Sequence, residues 1–172
     1  PGQHGPTQRI KLSDYAIRLR EKQKLRAHYG VSEKQVRNYM VKAKRAPGNT
    51  GENLLRQLES RLDNVTYRLG FTRTIRASRQ MVNHGHIEVN GQRVDLPSFQ
   101  VRPGDIVAIR EKSKMRARVA EAIAGPTIMA VPAFLERNDA ALSGTMKTKP
   151  ELGDCPLQIN EALVVELYAL SL

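Results

Sequence analysis

Asn90-Gly91 constrains this chain more tightly than any other dipeptide in it. Both central residues of a type I′ turn need positive φ, and Asn-Gly meets that need at least cost. Residues 87–94 read IEVNGQRV. A two-residue turn there sets Glu88 opposite Arg93 and Ile87 opposite Val94. Opposite charges then meet on one face, and branched apolar side chains on the other. Just upstream, Thr74 can cap a helix running to about His84, with Gly85 as the residue that ends it. A helix, a sharp glycine turn and a hairpin thus follow one another without a break.

That helix has two chemically different faces. Arg76, Arg79, Gln80 and Asn83 fall on one side; Ser78, Met81 and Val82 fall on the other, with Ile75 nearby. One side is fit to bury, and the other to donate hydrogen bonds to phosphates. Upstream, RLDNVTYRLG (61–70) predicts a helix closed by Gly70, with Leu62, Val65 and Leu69 along one side. Downstream, PSFQVRPGDIVAIREKSK (97–114) predicts a Pro-Gly turn and an alternating strand, Ile106 to Ile109, ending in Lys112 and Lys114.

Helical spacing governs the first third. A helix is predicted from Ser13 to Tyr29, ended by Gly30 and carrying Arg18, Arg20, Lys22, Lys24 and Arg26. A second starts at Ser32, with Gln35 three residues on as a capping box. Val36, Tyr39, Met40 and Ala43 form its buried stripe, leaving Arg37, Lys42, Lys44 and Arg45 largely outside. APGNTG (46–51) stops it, and Thr50 is the expected cap of a third helix with Leu54, Leu55, Leu58 and Leu62 at core spacing. Near the end, Asn160 can cap a helix with Glu161 in its first turn and Leu163, Val164, Leu167 and Tyr168 as a stripe. That helix is expected to pack back on the N-terminal helices, or else to meet a protein partner.

Charge narrows the function. The chain has 28 Lys plus Arg against 17 Asp plus Glu, a net charge of +11. Residues 1–62 hold 14 bases and 5 acids, residues 63–118 hold 11 and 5, and residues 119–172 hold 3 and 7. Such an excess works against compactness and points to an anionic partner, nucleic acid first. The basic, Gly/Pro-rich start PGQHGPTQRIK reads as an extended arm. Aromatics make up 5% with no Trp, so broad base-stacking platforms are not expected.

Chemistry of other kinds finds little support. His84 and His86 flank one glycine without a further Cys/His cluster, a poor zinc site. Asp63, Glu88, Asp95 and Asp105 sit beside bases or turns, as structural acids do. No serine elbow, P-loop or dinucleotide glycine pattern occurs. No catalytic residue, metal, cofactor or small-molecule substrate is therefore expected. Cys155, the one cysteine, reads as a plain buried or half-buried thiol; with no disulfide and no signal peptide visible, a cytosol-like interior is expected. No apolar run approaches the ~18 residues of a membrane span. The chain starts at Pro1 rather than Met, so a missing or processed N-terminus is expected.

RLDNVTYRLGF, ASRQMVNHGHIEVNGQRVDLPS and PGDIVAIREKS together resemble the RNA-binding domain named after small ribosomal subunit protein four. The flanks PGQHG, LREKQKLRAHYGVSEKQVRNY, GNTGENLL and INEALVVELY resemble that ribosomal protein family itself. The resemblance is weak only over about 125–155. It implies an α+β fold: a small basic helical domain with an inserted RNA-binding domain of two helices packed on a small, mainly antiparallel sheet. The expected units are 1–60, basic arm and helical domain; 61–124, RNA-binding domain; and 125–172, a loop-rich segment and the C-terminal helix.

The resemblance also implies a non-enzymatic constituent of the small ribosomal subunit, in the cytoplasm or an organelle. It would clamp a helix junction of 16S-type ribosomal RNA and nucleate assembly of the subunit body. Expected neighbours are small-subunit protein five, with an influence on accuracy, protein three, and messenger RNA near its entry path. The RNA-facing residues it implies are Arg20, Lys22, Lys24 and Arg26, then Arg61, Asn64, Arg68, Arg73, Arg76, Arg79, Asn83, His84 and His86. Arg9, Lys11, Arg37, Lys44, Gln80, Lys112 and Lys114 complete the basic and donor set. Many relatives have a base where Ile75 stands and Ala where Ser78 stands, and some carry a zinc-binding cysteine cluster before PGQHG. Two other classes carry the same domain: modifying or synthetase enzymes, which need a catalytic domain that the 54 residues after 118 cannot supply, and free RNA chaperones.

Overall fold

Small polar side chains start most of the helices. A computed structural model describes residues 12–125 and 130–169; Arg9 and Lys11 lie outside them. Helix α1 (Asp14–Tyr29) is capped by Ser13, whose Oγ accepts from Ala16 N, and ends at Gly30 with φ of 59°. Helix α2 (Glu33–Arg45) opens on the full Ser32/Gln35 capping box. Helix α3 (Thr50–Glu59) is capped by Asn49, not Thr50: the Asn49 Oδ1 accepts from Gly51 N and Glu52 N. A side-chain amide oxygen caps as well as a hydroxyl, and the earlier residue takes the role. Helix α4 (Leu62–Arg68) follows after Arg61 turns extended, and α5 (Ile75–Asn83) is capped by Thr74.

The hairpin forms in the predicted register. Strands β1 (Ile87–Val89) and β2 (Gln92–Arg93) pair Glu88 with Arg93. Asn90 has φ of 51° and Gly91 of 76°. Strand β3 (Ile106–Ile109) pairs antiparallel with β1.

Residues 116–146 contain more structure than their sequence suggests. Helix α6 (Arg116–Ala124) buries Val119, and strands β4 (Leu135–Asn138) and β5 (Ser143–Met146) complete a five-stranded antiparallel sheet in the order β2-β1-β3-β5-β4. LERN and SGTM have little apolar alternation; pairing to a preformed β3 supplies what their own propensity does not. The fold is α+β, and Val119 of α6 joins residues of α4 and α5 in the core of the sheet.

Two cores result. One joins Leu62 and Val65 of α4, and Leu69 just after it, with Met81 and Val82 of α5 and with the sheet residues Ile87, Val107 and Met146. The other joins Leu25, Tyr29, Val36, Met40 and Leu54 of the first three helices with Val164 and Tyr168 of α7 (Glu161–Ala169). Each fully buried side chain of this size contributes roughly 1.5–3 kcal/mol relative to exposure. At their junction the loop before β3 braces the entry to α4: Val101 N donates to Ser60 O at 2.8 Å, and Leu62 N donates to Phe99 O at 2.9 Å.

Candidate nucleic-acid interface

The residues joining the two cores read ESRLDN (59–64), and their charges turn inward. Asp63, fully buried, holds two guanidinium groups. Arg61 donates through Nε and Nη2 at 3.0 and 2.8 Å, and Arg79 through Nε and Nη2 at 2.9 and 2.7 Å. Arg61 is 2% exposed and also donates to the Tyr39 hydroxyl at 2.7 Å. Arg79 reaches further, to the Tyr29 and Gly30 carbonyls at the end of α1. One carboxylate thus ties α5 to the helical lobe. Charges taken this far from water persist only when fully paired, and these are.

A second buried carboxylate lies beside it. Glu59 accepts from the Tyr29 hydroxyl at 2.6 Å and from Asn64 Nδ2 at 2.8 Å, with Arg68 Nε 3.4 Å away. Burial pushes its carboxyl above the usual range, opposed by the Tyr29 hydrogen bond and by Arg68. Arg68 also donates to the Asp154 carbonyl. Cys155 lies within 3.2 Å of the Tyr29 hydroxyl, and burial raises its thiol pKa, the opposite of what a reactive cysteine needs.

Five of the residues predicted to face RNA are therefore partly or wholly committed to the interior. Arg61, Asn64 and Arg68 are buried, and none presents its charge or amide to solvent. Lys22 is 9% exposed and pairs with Glu33 at 2.8 Å. Arg79 is half-buried on Asp63. Arg61 folds back on an acid two positions away, whereas Arg68, Lys22 and Arg79 meet theirs only across the fold, and spacing alone does not reveal the direction. The nearby acids Glu59 and Asp63 were the signal available.

The remaining described residues look outward, except that Arg26 and His86 are half-buried. On α5, Arg76, Gln80 and Asn83 are exposed, as are Arg73 and His84 at its ends. Arg20, Arg37, Lys44, Lys112 and Lys114 are exposed as well, and none of these cations makes an ion pair among the described residues. Lys24 is exposed but pairs with Glu21 at 2.5 Å; Arg26 is half-buried, 3.3 Å from Glu33. His86 is half-buried, with Nδ1 3.0 Å from the Ser113 hydroxyl. Desolvation first, then His84, Arg110 and Arg93, lower its pKa and favour the neutral ring. The inner face of α5 carries Ser78, whose hydroxyl donates to the Asp63 carbonyl at 2.5 Å. Ser78 thus adds a buried bond that alanine could not make. No cluster of three or more His, Cys, Asp or Glu suited to a metal occurs among the described residues, and no described helix is long and apolar enough to cross a membrane.

One exposed arginine and two amides on a helix, flanked by Arg73 and His84, held from behind by buried ion pairs and followed by a Gly turn and hairpin, form a face that can donate hydrogen bonds to phosphates. The family model described as the ribosomal protein S4/S9 N-terminal domain matches residues 1–59, and that of the S4 domain matches residues 60–107. The small ribosomal subunit protein uS4 of Paracidovorax citrulli is 51% identical over 98% of this chain and 82% of its own length. Those of Geobacillus kaustophilus and Brevibacillus brevis are 50% and 48% identical, each over 98% of this chain and 84% of their own. The chain belongs to the uS4 family of small ribosomal subunit proteins. It is thus an RNA-binding ribosomal protein of a structural family, not an enzyme.

Proposed function

We propose that this chain clamps a junction of helices in small-subunit ribosomal RNA and so nucleates assembly of the subunit body. The observation that carries this reading is the exposed row Arg76, Gln80 and Asn83 on α5, flanked by Arg73 and His84. A junction crowds several phosphate backbones, and their repulsion opposes its folding. Cations fixed on a rigid support offset that repulsion and favour the folded RNA. Arg20, Lys24, Arg37, Lys44, Lys112 and Lys114, exposed on other elements, are the further cations proposed to meet phosphates, with His86 and the partly shielded Arg26. Small-subunit protein five, protein three and messenger RNA at the entry path are the neighbours this placement on a cytoplasmic or organellar ribosome implies, with an effect on accuracy through protein five.

The test replaces Arg73 and Arg76 with Ala and titrates against a ribosomal RNA fragment at several salt concentrations. Neither side chain is buried, so folding is spared. The log–log salt slope is expected to become shallower by about 2, one per lost phosphate contact. An unchanged slope removes α5 from the interface.

A further inference from the structure

Beside the outward row of α5 lies a cleft of about 500 Å³ between that helix and α6, with Arg73, Gln80 and His84 on its lining. Its walls are unlike the rest of the basic surface. Phe71, Met81 and Val119 line an apolar floor and belong to the sheet core. Arg73, Gln80 and His84 stand on the α5 side, and Arg118 and Glu121 on the α6 side. Ala77, exposed and small, leaves the α5 wall low. The volume falls in the ordinary range for small-molecule sites, about 300–1,000 Å³.

A phosphate does not need such a place. An apolar floor contributes nothing to an anion, whose contacts are made at exposed cations. A flat, polarisable ring with a polar edge fits instead. Methionine sulfur packs well on such a face, and Met115, half-buried, lines the cleft above the buried floor; a side-chain amide and an imidazole can read its hydrogen-bonding edge. A guanidinium at the rim suits the phosphates on either side of an extruded nucleotide. We infer that the α5–α6 cleft receives a single unstacked nucleobase of the bound RNA. Sequence-specific recognition of RNA works through bases splayed out of the helix, and a junction supplies unpaired nucleotides. The inference rests on the RNA-binding reading, and adds to it a site at which a base, rather than the backbone, is held.

The experiment uses the full chain and three otherwise identical RNA duplexes. One has a single unpaired 2-aminopurine, one an abasic residue at that position, and one is fully paired. The unpaired base is expected to bind about tenfold more tightly than the abasic RNA, the order of one base stacked and held. Its fluorescence is expected to become shielded from acrylamide on binding. The two bulged RNAs carry the same phosphates, so their salt slopes are expected to agree. Ala77→Phe, which fills the cleft from an exposed position, is expected to bring the two affinities together while leaving the fully paired duplex unaffected. Equal affinities for the base-bearing and abasic RNAs in the unmodified protein overturn the inference and leave the cleft to a protein side chain. A preference that survives Ala77→Phe overturns its location. If none of the three RNAs binds at low salt, the RNA-binding reading itself fails.

Discussion

Asp63 receives four N–H donors from two arginines and a fifth from Asn64 N at 2.9 Å. Removing its charge leaves two guanidinium groups without their counter-ion, one of them buried. Asp63→Asn is isosteric, so packing is spared; it removes the charge and also turns one accepting oxygen into an NH2 donor facing other donors. A destabilisation of about 3–5 kcal/mol is expected from urea unfolding. At His28 the effect depends on pH. The ring is half-buried, 4.8 Å from Tyr29 and edge-on to it; burial first, and then Arg68, lower its pKa below 6.5. The unfolded chain therefore binds a proton that the folded one refuses. This contribution to stability grows as pH rises from the lowered value to 6.5 and is lost on acidification. Glu59 acts in the opposite sense as it ionises, so wild type and variant must be compared directly. His28→Gln is expected to flatten part of the rise between about pH 5 and 7.5, measured by denaturation at each pH. At this scale the sequence reveals local partners and hides distant ones. Ser32 with Gln35 and Asn90 with Gly91 were legible because each partner lies within three residues. The direction of Arg79 was not, because Asp63 and the end of α1 meet it only after folding.

Elements repeat the pattern. Helices α1, α2, α3 and α5 and the hairpin carry their own caps and turns, whereas α4 has no side-chain cap and is braced at its start by the loop before β3, and α6, β4 and β5 form because a neighbour offers them a surface. Gly144 is the clearest instance. It sits in β5, and a Cβ there would overlap the side chain of Leu69, the residue just after α4. The strand lies against the sheet core only because nothing projects from that position. Gly144→Ala is expected to cost about 1–3 kcal/mol by overpacking, seen as a lower midpoint in chemical denaturation, with Leu69→Ala/Gly144→Ala recovering part of the clash. The outward face of α5 was legible as a donor row from spacing alone. The cleft beside it was not, since its second wall is α6.

The whole molecule rests on two cores joined by the ion pairs of Asp63. Val164, fully buried among the first three helices, tests how far they are separable. Val164→Asp is expected to raise amide exchange across α1–α3 while β1, β3 and β5 retain their protection, as hydrogen-exchange mass spectrometry would resolve. Full loss of protection in the sheet would mean that the cores form one cooperative unit. The order of the chain gives this division a consequence during synthesis. Every residue named above for the sheet core has been translated by Met146, whereas the helical lobe waits for Val164 and Tyr168. A nascent chain can thus mature its middle before its beginning, and its first three helices stay unsealed until α7 has cleared the translating ribosome.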